Sequence, residues 1–233
     1  MKPYLFLLLL PIYFFIDKPL TGLDFANLKG KVKKVTTKSY TPAKRYSVWV
    51  KNLRDLPLNM QTEDYSIDGR LLNFRIFIKD SVLTLDQTTH YDAKGVVTDV
   101  TNFYPADHKK NKYVVTKNMM GIMILEMKSM DPSGRPRETI AVELNEQKRV
   151  KHSSIRDKNN KVIYQVWNVY NKQRDQILTV SRTLDLKRDS TTIEYTKYDT
   201  KGNWIQKIER LRRDGDEDFY NPIILVERSI QYY

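Results

Sequence analysis

The chain contains no cysteine. That excludes a disulfide frame, a thiol nucleophile and a lipobox-type lipid anchor. Histidine is nearly as scarce: His90, His108 and His152 are scattered, without carboxylates at metal-like spacing. A zinc site needs three or four convergent ligands, so each histidine reads as a strand or loop residue. No Gly-x-Ser-x-Gly elbow supports a nucleophilic serine. Glycine and proline are few, 8 and 9 among 233 residues, and no Gly/Ser/Pro-rich linker divides the chain. One domain with a sizeable core is expected, over residues 23–233. No stretch sustains the apolar spacing of a long helix.

What the chain has is tyrosine, 15 of them, with many Val, Ile and Thr. These residues favour strands. A turn recurs between them. It reads Asp92-Ala93-Lys94-Gly95, Asp131-Pro132-Ser133-Gly134, Asp157-Lys158-Asn159-Asn160 and Asp199-Thr200-Lys201-Gly202. Aspartate suits the first position of a type I turn because its carboxylate accepts a backbone N–H two residues on. Glycine or asparagine tolerates the left-handed residue at the end. Asp92, Gly95, Asp131, Gly134, Asp157, Asn160, Asp199 and Gly202 are therefore read as structural residues.

The pattern predicts strands at 30–40, 45–51, 71–79, 82–91 and 96–104, and at eight further segments from residue 122 to the C-terminus. Residues 52–64 read as a loop or short helix, and 105–111 as a polar connection. The fold class is all-β: an antiparallel meander of consecutive hairpins. Free sheet edges must be managed, and heavy charge on the strands favours a curled single sheet or half-barrel over a two-sheet sandwich. In the last strand Ile224, Val226, Ile230 and Tyr232 share a face, interrupted by Arg228. Arg182 interrupts a similar row of Leu178, Val180, Leu184 and Leu186.

The N-terminus sets Lys2 before the apolar run Pro3 to Ile16. Such a run is shorter than the roughly 20 residues of a bilayer span and fits a secretory leader, taken as residues 1–22. Export to the periplasm, outer surface or extracellular space follows as an expectation, with no transmembrane span left in the mature chain. The formal charge of +12 favours acidic partners. For an exported protein these are an anionic glycan or envelope polymer, with a protein partner open and nucleic acid not expected.

Tyr198 to Trp204 and the closing Glu227 to Tyr233 resemble the C-terminal signature of small secreted bacterial YD-repeat (RHS-like) proteins. Leu28 to Thr36 resembles their opening strand, and His90 to Gly95 the repeat core. The resemblance implies an envelope or extracellular β-sheet protein in which Tyr packs on a neighbouring strand and Asp caps the turn. It implies no catalytic residue.

The acidic run Asp214-Gly215-Asp216-Glu217-Asp218 lacks the spacing of a calcium loop and reads as a solvated hairpin. Trp49, Trp167 and Trp204 are candidate ligand-stacking aromatics, with core packing as the competing role. No cofactor or metal is expected. Three function classes remain. The first is a non-catalytic binding or structural protein working through the sheet face. The second is a carrier or sensor of lipid-like ligands in a curled half-barrel. The third and most distant is a carboxylate-based, glycan-acting enzyme. An exposed aromatic-basic stripe would favour the first, and a deep concavity the second.

Overall fold

The structure, a computed structural model, describes residues 23, 26–45, 48–51, 56–79, 81–119, 124–130, 135–146, 149–184, 188–213 and 223–233. The expected leader, the Asp131–Gly134 turn and the acidic run 214–218 lie outside them. The strands are β1 (Val32–Tyr40), β2 (Pro42–Arg45), β3 (Val48–Lys51), β4 (Asn59–Tyr65), β5 (Leu71–Ile78), β6 (Val82–Tyr91), β7 (Val97–Tyr104) and β8 (Lys109–Met119). They continue with β9 (Ile124–Met130), β10 (Pro136–Leu144), β11 (Val150–Asp157), β12 (Val162–Tyr170), β13 (Gln176–Thr183), β14 (Arg188–Tyr198), β15 (Trp204–Arg212) and β16 (Ile223–Tyr232).

The all-β antiparallel meander stands, but its sheet does not remain an open curl. Fourteen strands close into a barrel, with β1 hydrogen-bonded to both β16 and β4. Closure removes the free edges that a curled sheet would leave. The hairpin β2–β3 stands outside the ring. Three segments differ from expectation. In place of a single strand at 45–51 stand the two paired strands β2 and β3. Part of 52–64 is strand β4, and 105–111 holds only a short 3-10 turn before the eleven-residue strand β8 begins at Lys109. Both strands are polar-rich, so their alternation is weak in hydropathy.

The two rims differ. At one, five hairpins share a five-residue loop: 66–70, 92–96, 145–149, 171–175 and 199–203. In each, the first residue donates its N–H to the fifth residue's carbonyl. The heads are Ser66, Asp92, Asn145, Asn171 and Asp199, so the turn accepts Ser and Asn as well as the Asp read from sequence. Gly95 and Gly202 have φ of +81° and +76°, as a left-handed fourth residue requires. The Asp157–Asn160 turn has the same form, with Asn160 at φ 63°, but lies at the opposite rim.

Cross-strand pairing defines which side chains share a face. Val35, Phe74, Ile76, Leu85, Val100, Tyr113, Met127, Ile140, Ile155, Tyr164 and Val166 fall on one face around the ring and form a single buried cluster. That face is the interior. The opposite face of β1 and β4–β8 carries ion pairs: Asp64 takes Lys34 at 3.9 Å and Arg75 at 2.9 Å, Arg75 reaches Asp86 at 3.1 Å, and Asp99 binds His90 at 2.7 Å and Lys112 at 3.2 Å. A lipid-facing barrel wall is an apolar band, and a charge at the bilayer midplane costs about 2–4 kcal/mol. This stretch of outer wall is built for water. Among the described residues, no helix is long and apolar enough to cross a membrane.

Candidate functional site: the barrel interior

One mouth of the barrel is covered by the chain's own N-terminal segment. Leu23 N–H donates to the Gly69 carbonyl at 3.3 Å, between β4 and β5. Asn27 Nδ2 reaches Asp175 Oδ1 at 2.8 Å, between β12 and β13. The Lys29 backbone is clamped by Asn203, which accepts its N–H at 2.6 Å and donates to its carbonyl at 3.0 Å, between β14 and β15. These three hairpins lie on different sides of the ring. Leu28 joins the interior cluster, with Leu23 and Ala26 packed against it. The described N-terminal residues therefore lie across the rim of short turns.

The interior wall is asymmetric. Along β5–β12 its side chains are mostly apolar and buried. Along β13–β16, β1 and β4 the same face presents Thr179, Ser181, Thr191, Tyr195, Lys207, Glu209, Thr37, Gln61 and Glu63, all partly accessible. On β13 the sequence pattern is inverted: Leu178, Val180 and Arg182 face outward, and Thr179, Ser181 and Thr183 face in. On β16 the row Ile224, Val226 and Ile230 does face inward, and Arg228 belongs to that row as an interior residue.

Arg228 is the centre of the polar half. Its residue is 8% exposed. Nε donates to the Trp204 carbonyl at 2.9 Å, and the guanidinium lies 3.7 Å from the centroid of the Trp204 ring. Lys207 Nζ is 4.8 Å from the same ring and pairs with Glu209 at 2.6 Å. Tyr195 packs on Trp204 at 5.7 Å between ring centroids. Burial pulls the Arg228 pKa down to about 10, against the fields of Glu63 and Tyr65, so it stays charged at neutral pH. Glu63 faces this cluster from β4 without closing an ion pair to Arg228. Burial pushes its carboxyl up, opposed by the hydrogen bond from the Tyr65 hydroxyl and the field of Arg228.

Four interior side chains carry a polar atom with no protein partner: Gln87 Nε2, Thr89 Oγ1, Asn102 Oδ1 and Arg228 Nη2. Gln87 and Asn102 are cross-strand partners and are 2% and 1% exposed. A buried polar group left unpaired costs about 1–3 kcal/mol, so such groups are normally satisfied by water or a ligand.

The three tryptophans do not form a common stripe. Trp204 lines the interior. Trp167 stacks on His152 at 5.1 Å on the outer wall of β12. Trp49 lies under Lys44 in the β2–β3 hairpin. The rim opposite the short turns carries exposed Leu58, Ile78, Val82 and Leu184 beside exposed Lys79, Lys109, Lys110, Lys161 and Arg182. A groove of about 340 Å³, lined by Tyr164, Arg182 and Leu184 among others, opens there. Sequence reasoning missed Glu63 and Arg228 because a charged residue on a strand reads as facing solvent. The one signal was that Arg228 broke an otherwise apolar row. Among the described residues no group of three or more His, Asp or Glu is placed to hold a metal ion.

No family model matches the chain, and no curated protein does. Among solved structures it is similar to a porin-like protein from Bacteroides uniformis, 13% identical, over 86% of this chain and 98% of that one, with a TM-score of 0.47. It is also similar to a porin-like protein from Bacteroides vulgatus, 10% identical, over 88% and 99% of the two chains, with a TM-score of 0.45. At such scores neither likeness says what this barrel binds.

Proposed function

We propose that the chain is a non-catalytic binding protein of the cell envelope that encloses a small, partly apolar ligand inside its barrel. The observation that carries this reading is the set, among the described residues, of four buried, unpartnered polar atoms on the interior wall beside an apolar cluster. Such a wall offers apolar contact over most of a ligand and a few polar contacts to orient it, the usual composition of a small-molecule site. The basic rim steers anions toward the mouth in a salt-dependent way. The location rests on the leader-like N-terminus, and kinship to YD-repeat proteins on the Tyr91-Asp92 and Tyr198-Asp199 units. Both belong to this proposal.

Recognition of a glycan through the outer face is the weaker reading, because the tryptophans are dispersed. The test is uptake of N-phenyl-1-naphthylamine, a neutral apolar fluorophore, together with native mass spectrometry of the purified protein. Saturable uptake near one equivalent, or a co-purifying small molecule lost on organic extraction, is expected. A protein that takes up no probe and carries no molecule would refute interior binding.

A further inference from the structure

The interior names the chemistry of one end of its ligand. This inference rests on interior binding and asks which group of the ligand meets the polar half. Arg228 is nine-tenths buried and uses Nε on the Trp204 carbonyl, while Nη2 has no partner. The Trp204 ring lies against the guanidinium, and Lys207 lies against the same ring. Lys207 is neutralised by Glu209 at 2.6 Å. Glu63 lies within the field of Arg228 but does not pair with it, and its hydrogen bond comes from Tyr65 on its own strand. A buried guanidinium with a spare N–H is a strong hydrogen-bond donor site for an oxyanion.

The charge count limits which oxyanion. The Lys207–Glu209 pair cancels, and two carboxylates whose fields reach Arg228, Glu63 and Asp199, already oppose its charge. A singly charged group added here therefore leaves less uncompensated charge in the interior than a doubly charged one. The neighbours of Glu63 across the interior face are Val35 on β1 and Phe74 on β5, both buried and apolar. The anionic group therefore meets Arg228 where the apolar cluster begins.

We propose that Arg228 is the head-group site for an amphipathic monocarboxylate, whose apolar body lies along Val35, Phe74 and the interior cluster. Arg228 Nη2 donates to the carboxylate, and Trp204 holds the guanidinium plane in place. The charged group whose field reaches Glu63 is Arg228 from β16, on which Asp199 also acts; the residues paired with Glu63 on β1 and β5 are apolar.

The experiment is displacement of N-phenyl-1-naphthylamine by dodecanoate, dodecanol and dodecyl phosphate, using the full chain, its Arg228→Gln variant and its Glu63→Gln variant. The native protein is expected to bind dodecanoate at least about tenfold more tightly than dodecanol, and dodecyl phosphate no better than dodecanoate. Arg228→Gln should abolish the carboxylate preference and leave dodecanol within about twofold. Glu63→Gln removes a carboxylate whose field reaches Arg228 and should keep or strengthen the preference, and its loss there would overturn the site, so the proposal is tested even where Arg228→Gln does not fold. Equal affinity for acid and alcohol in the native protein would overturn the head-group site while leaving interior binding intact. Tighter binding of the phosphate would overturn the single-charge argument. Absence of probe uptake would overturn both readings.

Discussion

Three aspartates head the same turn, yet Asp199→Ala should cost much more than Asp92→Ala or Asp157→Ala. In each turn the carboxylate Oδ1 accepts the N–H groups two and four residues on, at 2.8–2.9 Å. Asp92 and Asp157 are supported mainly by those bonds at an exposed rim, so alanine there should cost about 1 kcal/mol. Asp199 adds a second oxygen that accepts the Tyr232 hydroxyl and, at 3.4 Å, Asn203 Nδ2. Asn203 in turn holds the backbone of Lys29 and is 1% exposed. Loss of Asp199 therefore loosens the β14–β15 turn, the end of β16 and the segment that covers the mouth. After discounting for partial exposure, a charge-assisted hydrogen bond adds about 1–2 kcal/mol, for a total of about 2–3 kcal/mol. For a domain of this size the midpoint should fall about 2–8 °C further than in Asp92→Ala. Urea unfolding followed by tryptophan fluorescence, with all three variants, measures the free-energy difference, and thermal scans measure the midpoint. The sign of the pH dependence is also fixed. Partial burial raises the Asp199 carboxyl, but hydrogen bonds from Tyr232, Asn203 and Lys201 outweigh it and hold the group below its usual range. Its stabilisation is present above the ordinary aspartate value, about 3.9, and is lost as pH falls through the depressed value. The extra cost of Asp199→Ala should shrink in that acid range. Equal costs at all three positions, or an Asp199 penalty unchanged at pH 2, would refute this reasoning.

Other outcomes follow from the same geometry. Gly202→Val should cost about 1–2 kcal/mol in urea unfolding through left-handed strain. An added Cβ meets only the movable Lys29 side-chain end, at 2.9 Å, so crowding contributes little. Lys201→Ala should cost about 0.5 kcal/mol, because its ammonium lies 3.5 Å from the Tyr232 ring centroid. Asn160→Gly, at φ 63°, should change stability by no more than a few tenths of a kcal/mol in the same assay. Deletion of 223–233 removes a strand hydrogen-bonded on both sides, opening the barrel. Gel filtration and thermal scans should show aggregation and loss of the cooperative transition, and an equally soluble, equally stable product would show the ring does not need β16.

The turns were legible because Asp at the head and Gly or Asn at the end are demanded locally by backbone geometry. Ser66, Asn145 and Asn171 escaped notice because they form the same loop with less distinctive residues. Strand β8 was hidden by Lys109, Lys110, Asn111 and Lys112, a polar run in which Lys110 and Lys112 face the water on the outer wall. Barrel closure depends on β1 meeting β16 across nearly the whole chain, and local periodicity carries no information about such a pairing. The polar half of the interior was hidden for a related reason. Alternation shows that two faces differ but does not say which is inside. On β13 the apolar face turned outward, and on β16 Arg228 turned inward with the apolar row.

The most direct measurement of interior binding uses contact quenching. A protein with Trp49 and Trp167 replaced by Phe retains Trp204 as its one tryptophan, and a companion retains only Trp167 on the outer wall. Each is titrated with a brominated dodecyl chain, as the acid and as the alcohol. Interior binding predicts saturable quenching of Trp204 by at least one of the two, near one equivalent, with little effect on Trp167. Quenching of Trp167 with Trp204 unaffected would place the ligand on the outside and contradict the account.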